Sequence, residues 1–387
     1  MKIAFVRTAS NILKYGGYNI QEIGLAKALM PFGVSTDVYA RFSNITETCE
    51  VENDGHGNSV VVHPLKGKQI YREIMYYPEL KKDLLNGGYD MVQLLDDSQM
   101  MLPMLFKALK KAGVKTILWQ GMYRDFGGKA AHAMQIVYDC LCAKTLDKYS
   151  DLKIAKTDVA RDYLIKKKYN NIVVLPVGLD KVIYERDESL EQRIDSFKKK
   201  HSKILLYIGA IEPRRNPDFL LDIIKKKKGK GCGLIIVGKG VSRDNLLDKI
   251  KALDLGNDTM YIESVPNKNL ISVFEKTDVL LLPTNYEIYG MVIMEALTFG
   301  VPVVSTPEAG PSFLLTDSLY GRCEPLSLDK WSDAIDYYLN NPISQPEKAM
   351  RRNYIESNFR WEKIAPRYYE IVRSLINKRG GCPKTSK

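Results

Sequence analysis

Two carboxylates separated by seven residues, Glu287 and Glu295, fall in the stretch Leu282-Pro283-Thr284-Asn285-Tyr286-Glu287-Ile288-Tyr289-Gly290-Met291-Val292-Ile293-Met294-Glu295. The apolar run 279–282 has the composition of a buried strand that stops at Pro283, and the pattern after Gly290 is helical. That spacing predicts one acid, Glu287, in a loop and a second, Glu295, in the second turn of the helix. The amides of Tyr289, Gly290, Met291 and Val292 would open beside them, where the helix dipole favours an anion. Carboxylates accept hydrogen bonds from hydroxyls, so the chemistry on offer is recognition of a polyol joined to a phosphate. Two glutamates at this spacing are common by chance, and each alone is equally an ordinary surface acid. The strand, loop and helix around them favour the functional reading.

A second candidate anion site is Gly16-Gly17, which follows the apolar run 3–6 and precedes the amphipathic run 20–29. A glycine pair that opens a helix lets backbone N–H groups approach a phosphate, and it serves equally as a loop that needs positive φ. It is not a dinucleotide fingerprint, because no G-x-G-x-x-G is present there. Gly238-Lys239-Gly240 also lacks the third glycine, and no Walker A sequence occurs.

The elements that must position these residues alternate along the whole chain, short β-type runs with helical-period segments, which predicts α/β architecture with parallel sheets. One series of strands is expected at 3–6, 36–39, 60–63, 91–95, 116–119, 152–155 and 172–175. A second is expected at 204–208, 234–237, 260–262, 279–282 and 303–306. Between them, 176–202 contains Pro176, Gly178 and a strongly charged stretch, read as a hinge plus a solvated helix, so that the two units divide into 1–178 and 179–360. In doubly wound sheets ligands bind beyond the carboxyl ends of the strands, and the loops just named are in that position.

With 387 residues, 45% hydrophobic and 27% charged, the chain can bury two cores and is neither disordered, collagenous nor a disulfide scaffold. Lys and Arg number 57 against 46 Asp and Glu, a formal charge of +11 that attracts phosphates of any source. Six scattered cysteines without a C-x-x-C and only four histidines argue against a structural zinc site. The first apolar run is too short for a signal peptide and none approaches the ~20 residues of a membrane span, so a cytoplasmic protein with free thiols is expected.

On these residues the chain resembles the retaining glycosyltransferases of family 4, which have the GT-B fold of two facing Rossmann-like domains. The framed E-x7-E at Glu287 and Glu295 is that family's signature. Further matches are Gly16-Gly17, Leu175-Pro176-Val177-Gly178-Leu179-Asp180, Val237-Gly238-Lys239-Gly240 and a final helix from Trp361. The resemblance implies that Glu287 contacts the transferred sugar, that Glu295 contacts the ribose, and that 361–387 forms a helix packing back on the N-terminal domain plus a tail. It places a pyrophosphate-binding basic pair after the first strand of the second domain, where Gly209-Ala210-Ile211-Glu212-Pro213-Arg214-Arg215 stands. The family commonly has Arg where this chain has Ala210; Arg215 fills the second position and Arg214 supplies the missing charge. Base selection would fall near the loop 263–266, with Val265 against the nucleotide.

The resemblance also implies that the acceptor side lies after strand 116–119, at Gln120, Arg124, Asp125 and His132. Many members carry His where Gln120 stands and another near Gln93, and a Gln cannot titrate near neutral pH. His132 reads equally as a structural histidine. No D-x-D occurs, so cationic side chains and amides, with neither cofactor nor metal, are expected to hold the diphosphate of a UDP- or GDP-linked sugar. The implied partner is a glycan or lipid-linked glycan acceptor, and the implied reaction is metal-independent transfer with retention. Alternatives are another GT-B enzyme, an epimerase or phosphorylase, and a non-enzymatic basic binding protein for lipid or nucleic acid, suggested by the lysine runs 166–168, 198–200 and 225–228. Those runs lack interleaved aromatics, so nucleic acid is not expected. Two segments, 100–111 and 66–82 with Lys68, Arg72, Lys81 and Lys82, read as interfacial helices for an anionic membrane surface, although Leu102, Leu105, Phe106 and Leu109 would equally form a core-facing stripe.

Overall fold

A computed structural model of the chain describes residues 1–17, 19–71, 74–125, 127–341 and 344–377. The chain divides into two units, Met1–Asp180 together with the C-terminal helix Trp361–Asn377, and Lys181–Arg360.

The first unit contains β1 (Lys2–Val6), α1 (Gln21–Leu29), β2 (Ser35–Ala40), β3 (Cys49–Asn53), β4 (Ser59–Pro64), β5 (Lys68–Tyr71), β6 (Ile74–Tyr76), α2 (Leu80–Asn86), β7 (Met91–Leu95), α3 (Leu102–Lys111), β8 (Lys115–Gln120), α4 (Lys129–Tyr149), β9 (Leu152–Ala155), α5 (Asp158–Lys166) and β10 (Ile172–Val174). Its eight-stranded sheet runs in the order β10-β9-β8-β7-β1-β2-β4-β3, parallel except for β3 at the edge. The central strands are continuous apolar runs because helices cover both faces of such a sheet. The C-terminal helix is fixed to this unit by close packing. A Cβ on Gly24, within α1, would lie 2.2 Å from Trp361 Nε1, and one on Gly178 would lie 2.3 Å from the Trp361 ring. Further along, the Tyr368 hydroxyl donates to Gln93 Oε1 at 2.7 Å in the core.

The second unit contains α6 (Glu188–Lys198), β11 (Lys203–Ile208), α7 (Pro217–Lys226), β12 (Cys232–Val237), α8 (Arg243–Ala252), β13 (Thr259–Ile262), α9 (Ile271–Phe274), β14 (Val279–Leu282), α10 (Met291–Thr298), β15 (Val303–Ser305), α11 (Ala309–Leu314), β16 (Gly321–Cys323), α12 (Leu328–Asn340) and α13 (Gln345–Asn358). Its six strands are all parallel, in the order β13-β12-β11-β14-β15-β16. Every side chain of β14 is buried, and full burial of an aliphatic side chain contributes about 1.5–3 kcal/mol. Strand order reverses between β11 and β14, so the loops that follow these two strands lie side by side.

The two expected interfacial helices are corrected. Lys68–Tyr71 and Ile74–Tyr76 form the antiparallel pair β5 and β6: alternating Gln69-Ile70 and Ile74-Met75-Tyr76 suit a strand, and Pro78 disfavours helix in the residue before it. In α3, Leu102, Leu105, Phe106 and Leu109 are all buried, so its apolar stripe faces the core. Arg72, Cys382 and 378–387 of the expected tail lie outside the described residues. The lysine runs are partly internal: Lys167 pairs with Asp97 and Asp139, and Lys227 is buried against Ser332 and Asp336.

Candidate active site

The loops after β11 and β14 are joined by backbone and side-chain bonds. The Asn285 amide donates to the Arg214 carbonyl at 2.8 Å, and the Arg214 guanidinium donates to the Tyr286 carbonyl at 2.9 Å. Thr284, buried at the end of β14, fixes the loop from within: its amide donates to Thr306 Oγ1, and the Thr306 hydroxyl donates to the Thr284 carbonyl. Asn216 occupies the left-handed region at φ 45° where the Arg turn passes into α7.

This scaffold brings Arg215 and Glu287 into an ion pair with both side chains largely buried. Burial works against the Arg215 charge, but the Glu287 carboxylate outweighs it and raises the guanidinium pKa above its ordinary value. One of its donors, the buried Nε–H, has no hydrogen-bond partner among the described residues. Arg214 is more exposed and pairs with Glu212 at 2.6 Å.

Glu287 uses its other oxygen, Oε1, to accept from the amides of Gly290 at 3.0 Å and Tyr289 at 3.4 Å. Two of the four amides expected to meet a phosphate are therefore engaged by the carboxylate itself. The amides of Met291 and Val292 are the first of α10, and helix geometry leaves such groups without intrahelical acceptors. Gly290, at φ 86°, makes the left-handed turn into this helix. Glu295 lies within α10 and is only 1% exposed.

Gly209 and Gly238, expected on the donor side, have their amides in backbone bonds. The Gly209 amide donates to the Val237 carbonyl, and the Gly238 amide to the Ile262 carbonyl, both at 3.0 Å. A Cβ on Gly238 would lie 1.9 Å from the Gly209 carbonyl oxygen. These glycines let the loops after β11 and β12 pack backbone to backbone, and their amides are consumed in doing so. Val265 is half-buried in the loop after β13, whose Glu263 pairs with Lys239 at 3.0 Å.

In the first unit the expected residues separate. Gly16 has φ 76° and turns the loop after β1, but α1 starts four residues past Gly17, so the glycine pair does not open the helix. Gln120 is fully buried: its amide donates to Asp97 Oδ1 at 3.1 Å and to the Met122 carbonyl, and its oxygen accepts from the Asp97 amide at 2.9 Å. With both ends engaged, Gln120 is a core latch and not an acceptor contact. Asp125 and His132 do come together, at 3.3 Å, with the Tyr163 hydroxyl donating to Asp125 at 2.8 Å. Arg124 is exposed in the same loop.

Sequence reading missed a polar cluster at the carboxyl ends of β1, β7 and β9. Arg7 pairs with Glu22 at 3.2 Å, and Lys156 donates to Gln21 at 3.0 Å. Burial lowers the Lys156 pKa despite the opposing carboxylates of Asp96 and Glu22. Asp96, at φ 54°, accepts from the amides of Gly121 and Met122. The available signal was a charged residue directly after a buried strand. Gly310 was also missed: its amide donates to the Glu287 carbonyl at 3.2 Å.

Residues 188–360 match the family model described as glycosyl transferases group 1. The fold is GT-B, two Rossmann-like α/β domains with parallel sheets. Among relatives, the D-inositol 3-phosphate glycosyltransferase of Corynebacterium diphtheriae is 20% identical over 92% of this chain and 89% of its own length. Sucrose-phosphate synthase from Thermosynechococcus elongatus superposes with a TM-score of 0.76 at 17% identity, covering 97% of this chain and 99% of that one. HepE of Anabaena, solved in complex with UDP-glucose, does so with a TM-score of 0.68 at 15% identity, covering 97% and 100%.

Proposed function

We propose that this chain transfers a hexosyl group, with retention and without a metal ion, from a UDP- or GDP-linked sugar to a hydroxyl of a glycan or lipid-linked glycan, in cell-surface polysaccharide or glycoconjugate assembly. The chain would work in the cytoplasm, where the donor is made, at or near the cytoplasmic face of a membrane. The observation that carries this reading is the Arg215–Glu287 pair, held by two adjacent loops at the carboxyl edge of the second sheet. HepE supports the donor class, being a protein of this fold bound to UDP-glucose.

In this reading Arg215, assisted by Arg214 and the first amides of α10, stabilises the diphosphate as it leaves, and Glu287 orients the sugar hydroxyls. Glu295 holds the ribose, and Val265 contacts the base. The acceptor oxygen bonds to the anomeric carbon on the face from which the diphosphate departs, the bond to the phosphate oxygen breaks, and the acceptor proton passes to that oxygen. The protein then contributes positioning and charge stabilisation. Arg124, Asp125 and His132 are the acceptor-side candidates; Gln120, enclosed in the core, is withdrawn.

A thermal-shift screen with UDP, GDP, ADP and CMP sugars tests the donor assignment, since a ligand that binds only the folded state raises its melting temperature. A UDP- or GDP-sugar should give the largest shift. A shift with no nucleotide sugar, or turnover that collapses when divalent ions are chelated, contradicts the proposal.

A further inference from the structure

The first unit holds a cavity of about 350 Å³ at the carboxyl ends of β2 and β4, closed on its other sides by the loop after β2 and the start of α2. Its inner surface is aromatic. Tyr39 and Tyr77 are buried, and their hydroxyls are engaged inside the protein, Tyr39 with the Tyr89 hydroxyl at 2.7 Å and Tyr77 with the Ala9 carbonyl at 3.4 Å, so they offer the cavity ring surface. His63 stacks on Tyr39 with ring centroids 4.4 Å apart, and Thr48 Oγ1 lies 3.2 Å from its Nδ1. Glu47, Glu79 and Asp83 line the exposed part, and among the described residues none of these carboxylates is in an ion pair. Against the three stands one lysine, Lys66. In a chain of formal charge +11, this cavity therefore carries the opposite sign to the molecule as a whole.

We infer that this cavity is a subsite for an amino sugar with a free ammonium group. Carboxylates accept hydrogen bonds from ammonium and hydroxyl groups alike, and tyrosine faces attract a cation, so rings and acids together match a ring that bears both. A sugar phosphate or uronic acid would meet like charge there. Among the described residues no three His, Cys, Asp or Glu side chains converge to hold a metal ion, so the cation that suits the cavity is an organic one. The cavity is also remote from Asp125 and His132, which follow β8: β4 lies four strands from β8 in the sheet, about 19 Å at ordinary strand spacing. It would hold a unit of the acceptor other than the one that receives the transferred sugar. The inference deepens the function proposed above, on which it rests for its purpose, by naming the acceptor class, a glycan that contains an unacetylated amino sugar.

Calorimetric titration of the full chain with the linear trimer of glucosamine, at a pH where its amines are protonated, tests it. The trimer of N-acetylglucosamine and spermidine serve as the other two probes. The glucosamine trimer should bind, and the acetylated trimer should bind at least about tenfold more weakly, the scale of one charge-assisted hydrogen bond. Binding should weaken as salt rises, because the acids are exposed. Glu79→Gln with Asp83→Asn should lose about tenfold or more in affinity without lowering the melting temperature, since both side chains face solvent. Absence of binding, equal binding of the two trimers, or unchanged affinity in the Glu79/Asp83 variant overturns the inference. Spermidine binding as tightly as the glucosamine trimer overturns it too, by making the cavity a polyamine site. Glu287→Ala should bind the trimer as the wild type does, so a failed donor assignment and a failed amino-sugar subsite show separately.

Discussion

The two units present the same edge to chemistry, the carboxyl ends of parallel strands, yet they use it differently. In the second unit the loops after β11 and β14 are short and stapled to each other, and the charged pair Arg215–Glu287 is held at the edge itself. In the first unit the residue that ends β8, Gln120, is drawn inward to satisfy buried Asp97, which is also paired with Lys167. The polar groups left near that edge are Arg124 and Asp125, past the end of β8, and the cluster of Arg7, Glu22 and Lys156. Position after a strand thus marks where a site lies; whether the side chain is available depends on which buried group needs a partner.

Variants sharpen this contrast. The largest effect is expected for Glu287→Ala. Loss of a preorganised contact of this kind costs about 10²–10³ in turnover, and loss of its bonds to the start of α10 should lower stability by about 1 kcal/mol, as for a lost helix cap. Initial rates and a melting curve measure both; unchanged turnover would remove the active-site assignment. Arg215→Ala should lower turnover by about 10²-fold, as removal of an electrostatic donor does, with Arg215→Lys milder because it keeps the charge and loses the planar fork. Equal turnover in both Arg215 variants and the wild type would refute the role of the pair.

Gln120→Leu should act on stability. It leaves the Asp97 amide and carboxylate short of a partner in the core, costing about 1–3 kcal/mol, and denaturant unfolding reads the loss. Unchanged stability with altered transfer would return Gln120 to the acceptor side and undo the contrast. Arg214→Ala should have the smallest effect, about threefold or less on KM for the donor, since its present partners are surface ones of modest worth; a loss comparable to that of Arg215 would show that the two cations act as equals.

Much of the framework is visible in residue patterns, because buried parallel strands are continuous apolar runs such as Val279-Leu280-Leu281-Leu282. Strand β3, Cys-Glu-Val-Glu-Asn, is not, since an edge strand with half-exposed acids has no apolar signal. Glu287 and Glu295 stand out by their frame, but the partner of Glu287 is 72 residues away in sequence and becomes its neighbour through the strand order β11-β14. The amide use of Gly209 and Gly238 is equally hidden, because it follows from how closely two loops pack. The partners of Gln120 come from the core, which explains why that position could be misread as a site residue.

The central claim is that Arg215 and Glu287 together hold a nucleotide-sugar donor. Calorimetric titration of the chain with UDP-glucose and with GDP-mannose tests it most directly, on the wild type and on Arg215→Ala. The account expects at least one of the two to bind the wild type and Arg215→Ala to bind it about tenfold or more weaker, the scale of one charge-assisted hydrogen bond. Binding of neither sugar nucleotide, or equal binding by both proteins, would contradict it.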